Sequence, residues 1–170
     1  QETVAGFGIA SRIEGLFVIP LFALSASIGP FVGQNWGAER HDRAIAAMTW
    51  SFKYSLIWGC LVAVLLFLFG PEIAAVFDDN ETVIEVAALY LLIVPLSYGT
   101  WGVLMMASAI FNSLGKPVSS TIMSVIRMFI LYIPLALLGK WLIGVTGIFI
   151  AAAASNLIMG LIAYNWNRQT

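Results

Sequence analysis

An all-α, polytopic membrane helix bundle is the fold class this sequence predicts, on three observations. Of its 170 residues 61% are apolar and only 10% charged, with a mean hydropathy of +0.94; a soluble domain holds about 45–50% and about 25%. A soluble fold of this length could not hide so much apolar surface, so its solvent is lipid. The apolar residues gather into about five runs, each close to the ~20 residues that cross a ~30 Å hydrocarbon core as a helix. Between the runs stand short stretches of Gly, Pro, Asn and charge, the residues that end helices.

The first span is expected over 4–36, longer than a straight crossing needs, with an uncharged stretch from Gly15 to Gly33. The second is expected over 46–70 and the third over 83–111, which follows the acidic segment Asp78, Asp79 and Glu81. The fourth, 118–139, has Pro117 at its first turn, where a missing N–H does no harm. The fifth covers 142–166 without a single charge. The connections read as "GAERHDR", "GPEIAAVFDDNET", "NSLGKP" and "GKWLIGVTG". Pro20 and Pro30 are expected to kink the first helix, Pro95 the third and Pro134 the fourth, since each frees a carbonyl.

Orientation follows from Lys and Arg near the helix ends. Arg40, Arg43, Lys116 and Arg168 mark one side as cytoplasmic, while the acidic second connection marks the other as external; only Lys140 disagrees. The N-terminus is therefore expected outside and the C-terminus inside, in the inner (plasma) membrane. Trp36, Trp50, Trp141 and Trp166 fall where interfacial anchors are expected, and Trp58 and Trp101 lie deeper. The chain opens Gln-Glu-Thr, with no initiator Met and no basic leader. The first run is thus not read as a signal peptide, and an upstream segment is expected.

Net charge is −1, which gives no field to draw nucleic acid. Cys60 is alone and is read as a small buried packing residue, and His41 as a solvated loop residue. No nucleophile–base arrangement, "HExxH" motif or intramembrane acid pair is found, so an enzyme is not expected and no cofactor is implied. Whether a metal binds is left open.

Two patterns point to function. Ser25, Gly29, Gly33 and Gly37 recur every four residues and offer one small-residue face for helix packing. Arg12, Glu14 and Arg127 lie deep in predicted spans, where a charge costs roughly 2.5–3.5 kcal/mol at the bilayer centre. Counted along the helix rise, Arg127 lies roughly 13 Å and Glu14 roughly 14 Å from the same membrane edge. A contact between Glu14 and Arg127, or between Glu14 and an Arg12 of a neighbouring copy, would offset part of that cost. Glu14 is the only acid deep in any span, hence the candidate carboxylate for a coupling cation or proton, with Arg127 and Arg12 beside it as candidates. Ser120 and Ser124 extend a polar stripe toward Arg127.

Residues 6–44, with a mid-helix proline, Val-Gly-Gln-Asn, Gly-Ala and an Arg-Ala pair, resemble the signature of the multidrug and toxic compound extrusion family. Residues 90–138, with a Gly-Lys-Pro turn and an intramembrane Arg, resemble a later stretch of the same family. The resemblance implies two six-helix lobes, of which this chain would be most of the second. The N-terminal lobe and the seventh helix would then be missing partners. It implies an antiporter that exchanges Na⁺ or H⁺ for small amphipathic or cationic drugs by alternating access. Pro20, Gln34, Asn35, Tyr98, Trp101, Asn112 and Ser124 are the substrate-pathway candidates. The acid that some members carry on the tenth helix is absent from 83–111. Two alternatives stay open: a flippase for lipid-linked oligosaccharide or polysaccharide from the same superfamily, and a structural membrane subunit that transports nothing.

Overall fold

The computed structural model describes residues 1–168, and the described residues form helices joined by short connections. The helices are α1 (Glu2–Gly37), α2 (His41–Ala75), α3 (Glu81–Ile93), α4 (Tyr98–Ser113), α5 (Pro117–Val125), α6 (Ile133–Ile143) and α7 (Val145–Arg168). A 3₁₀ turn, Val94–Ser97, joins α3 to α4, and a π-helical stretch, Ile126–Tyr132, joins α5 to α6. Five helical segments are long and apolar enough to cross a membrane: Glu2–Gly37, His41–Ala75, Glu81–Ser113, Pro117–Ile143 and Val145–Asn167. Large apolar side chains such as Leu61, Phe67, Leu137 and Trp141 face outward. This is a multi-pass membrane protein.

The ends of the helices follow local chemistry. Asn80 caps α3, its side-chain oxygen accepting from the N–H groups of Thr82 (3.0 Å) and Val83 (3.4 Å). Gly115, at φ +72°, ends the third span, and the Lys116 N–H returns to the Phe111 carbonyl at 2.8 Å. The first connection closes with Glu39 at φ 60°.

Several expectations need correction. Pro20 and Pro30 do not interrupt α1, which runs unbroken through both. Near Pro20, Trp58 donates its indole N–H to the Phe17 carbonyl at 2.8 Å, one residue along from the Leu16 carbonyl that the proline leaves without its helical donor. Pro71, read as part of a connection, lies inside α2. The fourth connection shrinks from nine expected residues to Gly144 alone, at φ +66°. Gly139 and Gly147 pack backbone on backbone beside it, which lets the chain reverse within one residue. Cys60 is exposed on the outer face of α2 rather than buried. His41 opens α2 and stacks on Trp36 with 4.4 Å between ring centroids.

The third span is the axis of the bundle: α4 packs against α1, α2, α5 and α7. Lipid tails are as apolar as Leu, so close backbone packing holds such helices together. Ser25 donates to the Met105 carbonyl at 3.3 Å, a Cβ at Gly29 would stand 3.1 Å from the Ala109 carbonyl, and one at Gly33 would stand 3.3 Å from Ser113. The small face of α1 thus runs parallel along Met105, Ala109 and Ser113 of α4. Gly37 has nothing within 4 Å and takes no part. Gly59 of α2 meets the Gly99 backbone, a contact that the sequence pattern did not single out. Two apolar clusters result, one around Ile13, Leu66, Leu91 and Tyr98, the other around Leu21, Met106, Ile110 and Met159. Trp58 and Trp101 touch both.

Candidate functional site

Polar side chains from four spans meet near the junction of those clusters. Glu14 comes from α1, Tyr90 from α3, Ser97 from the 3₁₀ turn, Arg127 from the π stretch and Asn156 from α7. The Tyr90 hydroxyl donates to the Glu14 carboxylate. Arg127 donates through a terminal guanidinium nitrogen to Asn156 Oδ1 at 3.0 Å. Asn156 Nδ2 donates to Ser97 Oγ at 3.1 Å, and Ser97 Oγ donates to the Val94 carbonyl at 2.8 Å. Asn156 therefore ties together the two segments where the backbone leaves the α-helical ladder. Such departures rearrange hydrogen bonds and are frequent at functional sites.

Glu14, Tyr90, Trp101, Arg127, Tyr132 and Asn156 are among the walls of a cavity of about 200 Å³. The expected contact between Glu14 and Arg127 is replaced by a shared cavity in which each has a neutral partner. Phe7 and Phe149 hold the Tyr90 ring edge-on, at centroid distances of 5.6 and 5.0 Å. Tyr98 is fully buried, and its hydroxyl has no hydrogen-bond partner among the described residues. Among the described residues no three His, Cys, Asp or Glu side chains converge. The oxygen-bearing side chains on the cavity wall are the Glu14 carboxylate, the hydroxyls of Tyr90 and Tyr132, and the Asn156 amide, whose oxygen already accepts from Arg127.

Trp101 and Arg127 also line an adjoining groove of about 400 Å³, with Phe22, Ser25, Asn112 and Ser124. Four of the expected pathway or coupling residues, Trp101, Asn112, Ser124 and Arg127, thus meet on one groove. The others fall elsewhere. Arg12 is exposed and lies outside both spaces, so it does not join Glu14 within this chain. Pro20 borders a separate groove with Ser27 and Tyr54. Gln34 is exposed, and Asn35 turns its amide back to the Phe31 carbonyl at 2.8 Å. Tyr90 and Asn156 escaped the sequence reading. The Ser155–Asn156 pair within "AAAASNLIMG" was the available signal for the second.

The MatE family model matches residues 1–138. The chain is 35% identical over 164 residues to a FAD transporter of Shewanella oneidensis, covering 96% of this chain and 36% of that protein. It is 22% identical to a probable multidrug resistance protein, YoeA, of Bacillus subtilis, covering 99% of this chain and 38% of that one. The crystal structure of the Vibrio cholerae MATE transporter VcmN in its bent form superposes with a TM-score of 0.94 at 27% identity. It covers 99% of this chain and 39% of its own. The present chain spans a little over a third of the length of these relatives. The relatives are transporters, not enzymes, and a match over most of the sequence, together with the same arrangement of helices, means that this chain belongs to the MatE family.

Proposed function

We propose that the chain forms most of one lobe of a cation-coupled exporter that works by alternating access, with Glu14 as the coupling carboxylate. The missing partners are the other lobe and one further helix. The supporting observation is the cavity itself: a lone membrane-depth carboxylate, held by one phenol, faces a guanidinium across a space in which either can change partner. A proton or Na⁺ entering that space competes with Tyr90 for the carboxylate. Substrate occupies the adjoining groove, where Trp101 offers a stacking face and Asn112 and Ser124 offer hydrogen bonds. Residues 38–40 lie in the cytoplasm and 76–80 outside the inner membrane, as the distribution of Lys and Arg favours.

One observation favours a second reading of the substrate. Arg127, the charge shared by cavity and groove, has an amide rather than a carboxylate as its partner. An uncompensated guanidinium beside an indole suits an aromatic anion better than a cationic drug. The relative named as a FAD transporter carries the same implication. The test is efflux from energised vesicles of the complete transporter, loaded in parallel with FAD and with a cationic dye, under imposed Na⁺ or H⁺ gradients. Export of either that collapses with the gradient and in Glu14→Gln supports coupled transport. Export that ignores both removes the proposal.

A further inference from the structure

The fourth span leaves the α-helical ladder just before Pro134. Proline has no N–H, and in an α-helix its ring presses on the carbonyl four residues back, here that of Ile130. The turn before it is opened rather than broken: the Ile133 N–H reaches five residues back, to the Met128 carbonyl. Pro134 itself is exposed and lines neither the Glu14 cavity nor the adjoining groove. Whatever part it plays in them passes through the helix register.

That register decides which side chains reach the cavity. Arg127 and Tyr132, five residues apart, both line it. In an unbroken α-helix two such residues point roughly 140° apart around the axis, at 3.6 residues per turn. A turn closed between i and i+5 brings them toward the same side. The π stretch, which runs from Ile126 to Tyr132, supplies that common face. The two ends of the span are held unequally. Gly139 of α6 meets Gly147 of α7 backbone on backbone, whereas Met123 is the one buried side chain of α5. A change of register therefore turns the α5 end, and takes Arg127 away from Asn156 on α7.

We infer that Pro134 is a positioning residue for Arg127. By withholding one N–H it keeps the π turn open, and the open turn holds the guanidinium on Asn156, between cavity and groove. For transport, the consequence rests on the proposed roles of that cavity and groove.

Thermal melting of the complete transporter tests the register without any substrate. Arg127→Gln, Asn156→Leu and the double variant measure the coupling between the two side chains, first with Pro134 and then with Pro134→Ala. With Pro134 in place each single change lowers the midpoint, and the double variant loses less than the sum. With Pro134→Ala the N–H returns, the α register closes, and the two losses add; the folded yield is kept, since Ala suits a helix interior. Should Pro134→Ala fold poorly, Pro134→Leu restores the same N–H on the same outward face and takes its place. Additive losses with Pro134 in place, or undiminished coupling in Pro134→Ala, overturn the inference, because a proline that only shapes the helix leaves the pair intact. Efflux of FAD or a cationic dye from loaded vesicles separates this from the transport reading. Pro134→Ala slows it about tenfold, the worth of one charge-assisted hydrogen bond. Coupling lost while efflux keeps its wild-type rate upholds Pro134 as positioning Arg127 and removes Arg127 from the transport site.

Discussion

Arg127 donates a 3.0 Å hydrogen bond to the side-chain oxygen of Asn156, a neutral partner for a charge deep within a membrane helix. The amide offers the guanidinium an acceptor without cancelling its charge, so the field of Arg127 still reaches the cavity and the groove. The same amide donates onward to Ser97, which binds the π stretch to the 3₁₀ turn. A single side chain on α7 thus fixes two irregular segments on two other spans.

Asn156→Leu removes both bonds and leaves Arg127 with no acceptor. A hydrogen bond to a charged group is worth about 1.5–3 kcal/mol, so the purified transporter melts several degrees lower. Asn156→Asp keeps an acceptor for Arg127 and recovers most of that stability. It also neutralises the guanidinium, so it selectively depresses transport of anionic substrates. Unchanged melting of Asn156→Leu would show that Arg127 draws its support elsewhere.

Helix packing makes a graded prediction. A Cβ at Gly59 overlaps the Gly99 backbone, which cannot move aside as a flexible side chain would. Gly59→Ala therefore costs about 1–3 kcal/mol, as overpacking does, and cuts the folded yield in size-exclusion chromatography. Gly33→Leu also lowers it, because Ser113 stands in the way. Gly37→Ala leaves yield at the wild-type level, since nothing lies within 4 Å. Equal yields from Gly59→Ala and Gly37→Ala would mean that α2 and α4 do not pack this closely.

The five spans were legible because length and apolarity are what a bilayer demands of any crossing helix. The Gly144 corner was not, because Lys140 and Trp141 on one side look like loop and continue as helix. Matched depth brought Glu14 and Arg127 to one level, since rise per residue is fixed. Their partners stayed hidden because depth says nothing about rotation around the helix axis. Tyr90 and Asn156 are also neutral, and no burial cost marks them in a sequence. The π stretch had only an indirect sign, Pro134, which withholds the donor that the Ile130 carbonyl would otherwise receive.

Orientation in the membrane is tested by thiol labelling. Cys60 is replaced first because it is exposed on the outer face of α2. Lipid shields that face in a membrane, so Cys60 reacts slowly with a polar reagent. In that background an impermeant reagent applied to intact cells labels Asp79→Cys and leaves Arg40→Cys unlabelled until the cells are opened. The reverse pattern inverts every span.

Glu14 and Tyr90 supply the sharpest test of coupling. Tyr90→Phe deletes the hydroxyl that donates to the carboxylate and keeps the ring that Phe7 and Phe149 contact edge-on. The fold should therefore survive, while a charge-assisted bond worth roughly 1.5–3 kcal/mol is lost. If the bond holds the carboxylate ready for an incoming cation, coupled efflux falls about tenfold or more, with expression and substrate binding retained. Glu14→Gln removes the ionisable group altogether and abolishes dependence on the gradient while sparing substrate binding. The double variant then behaves like Glu14→Gln alone, because the hydroxyl has no carboxylate left to act on. Gradient-driven efflux by Glu14→Gln at the wild-type rate would make Glu14 a structural residue and place coupling in the other lobe.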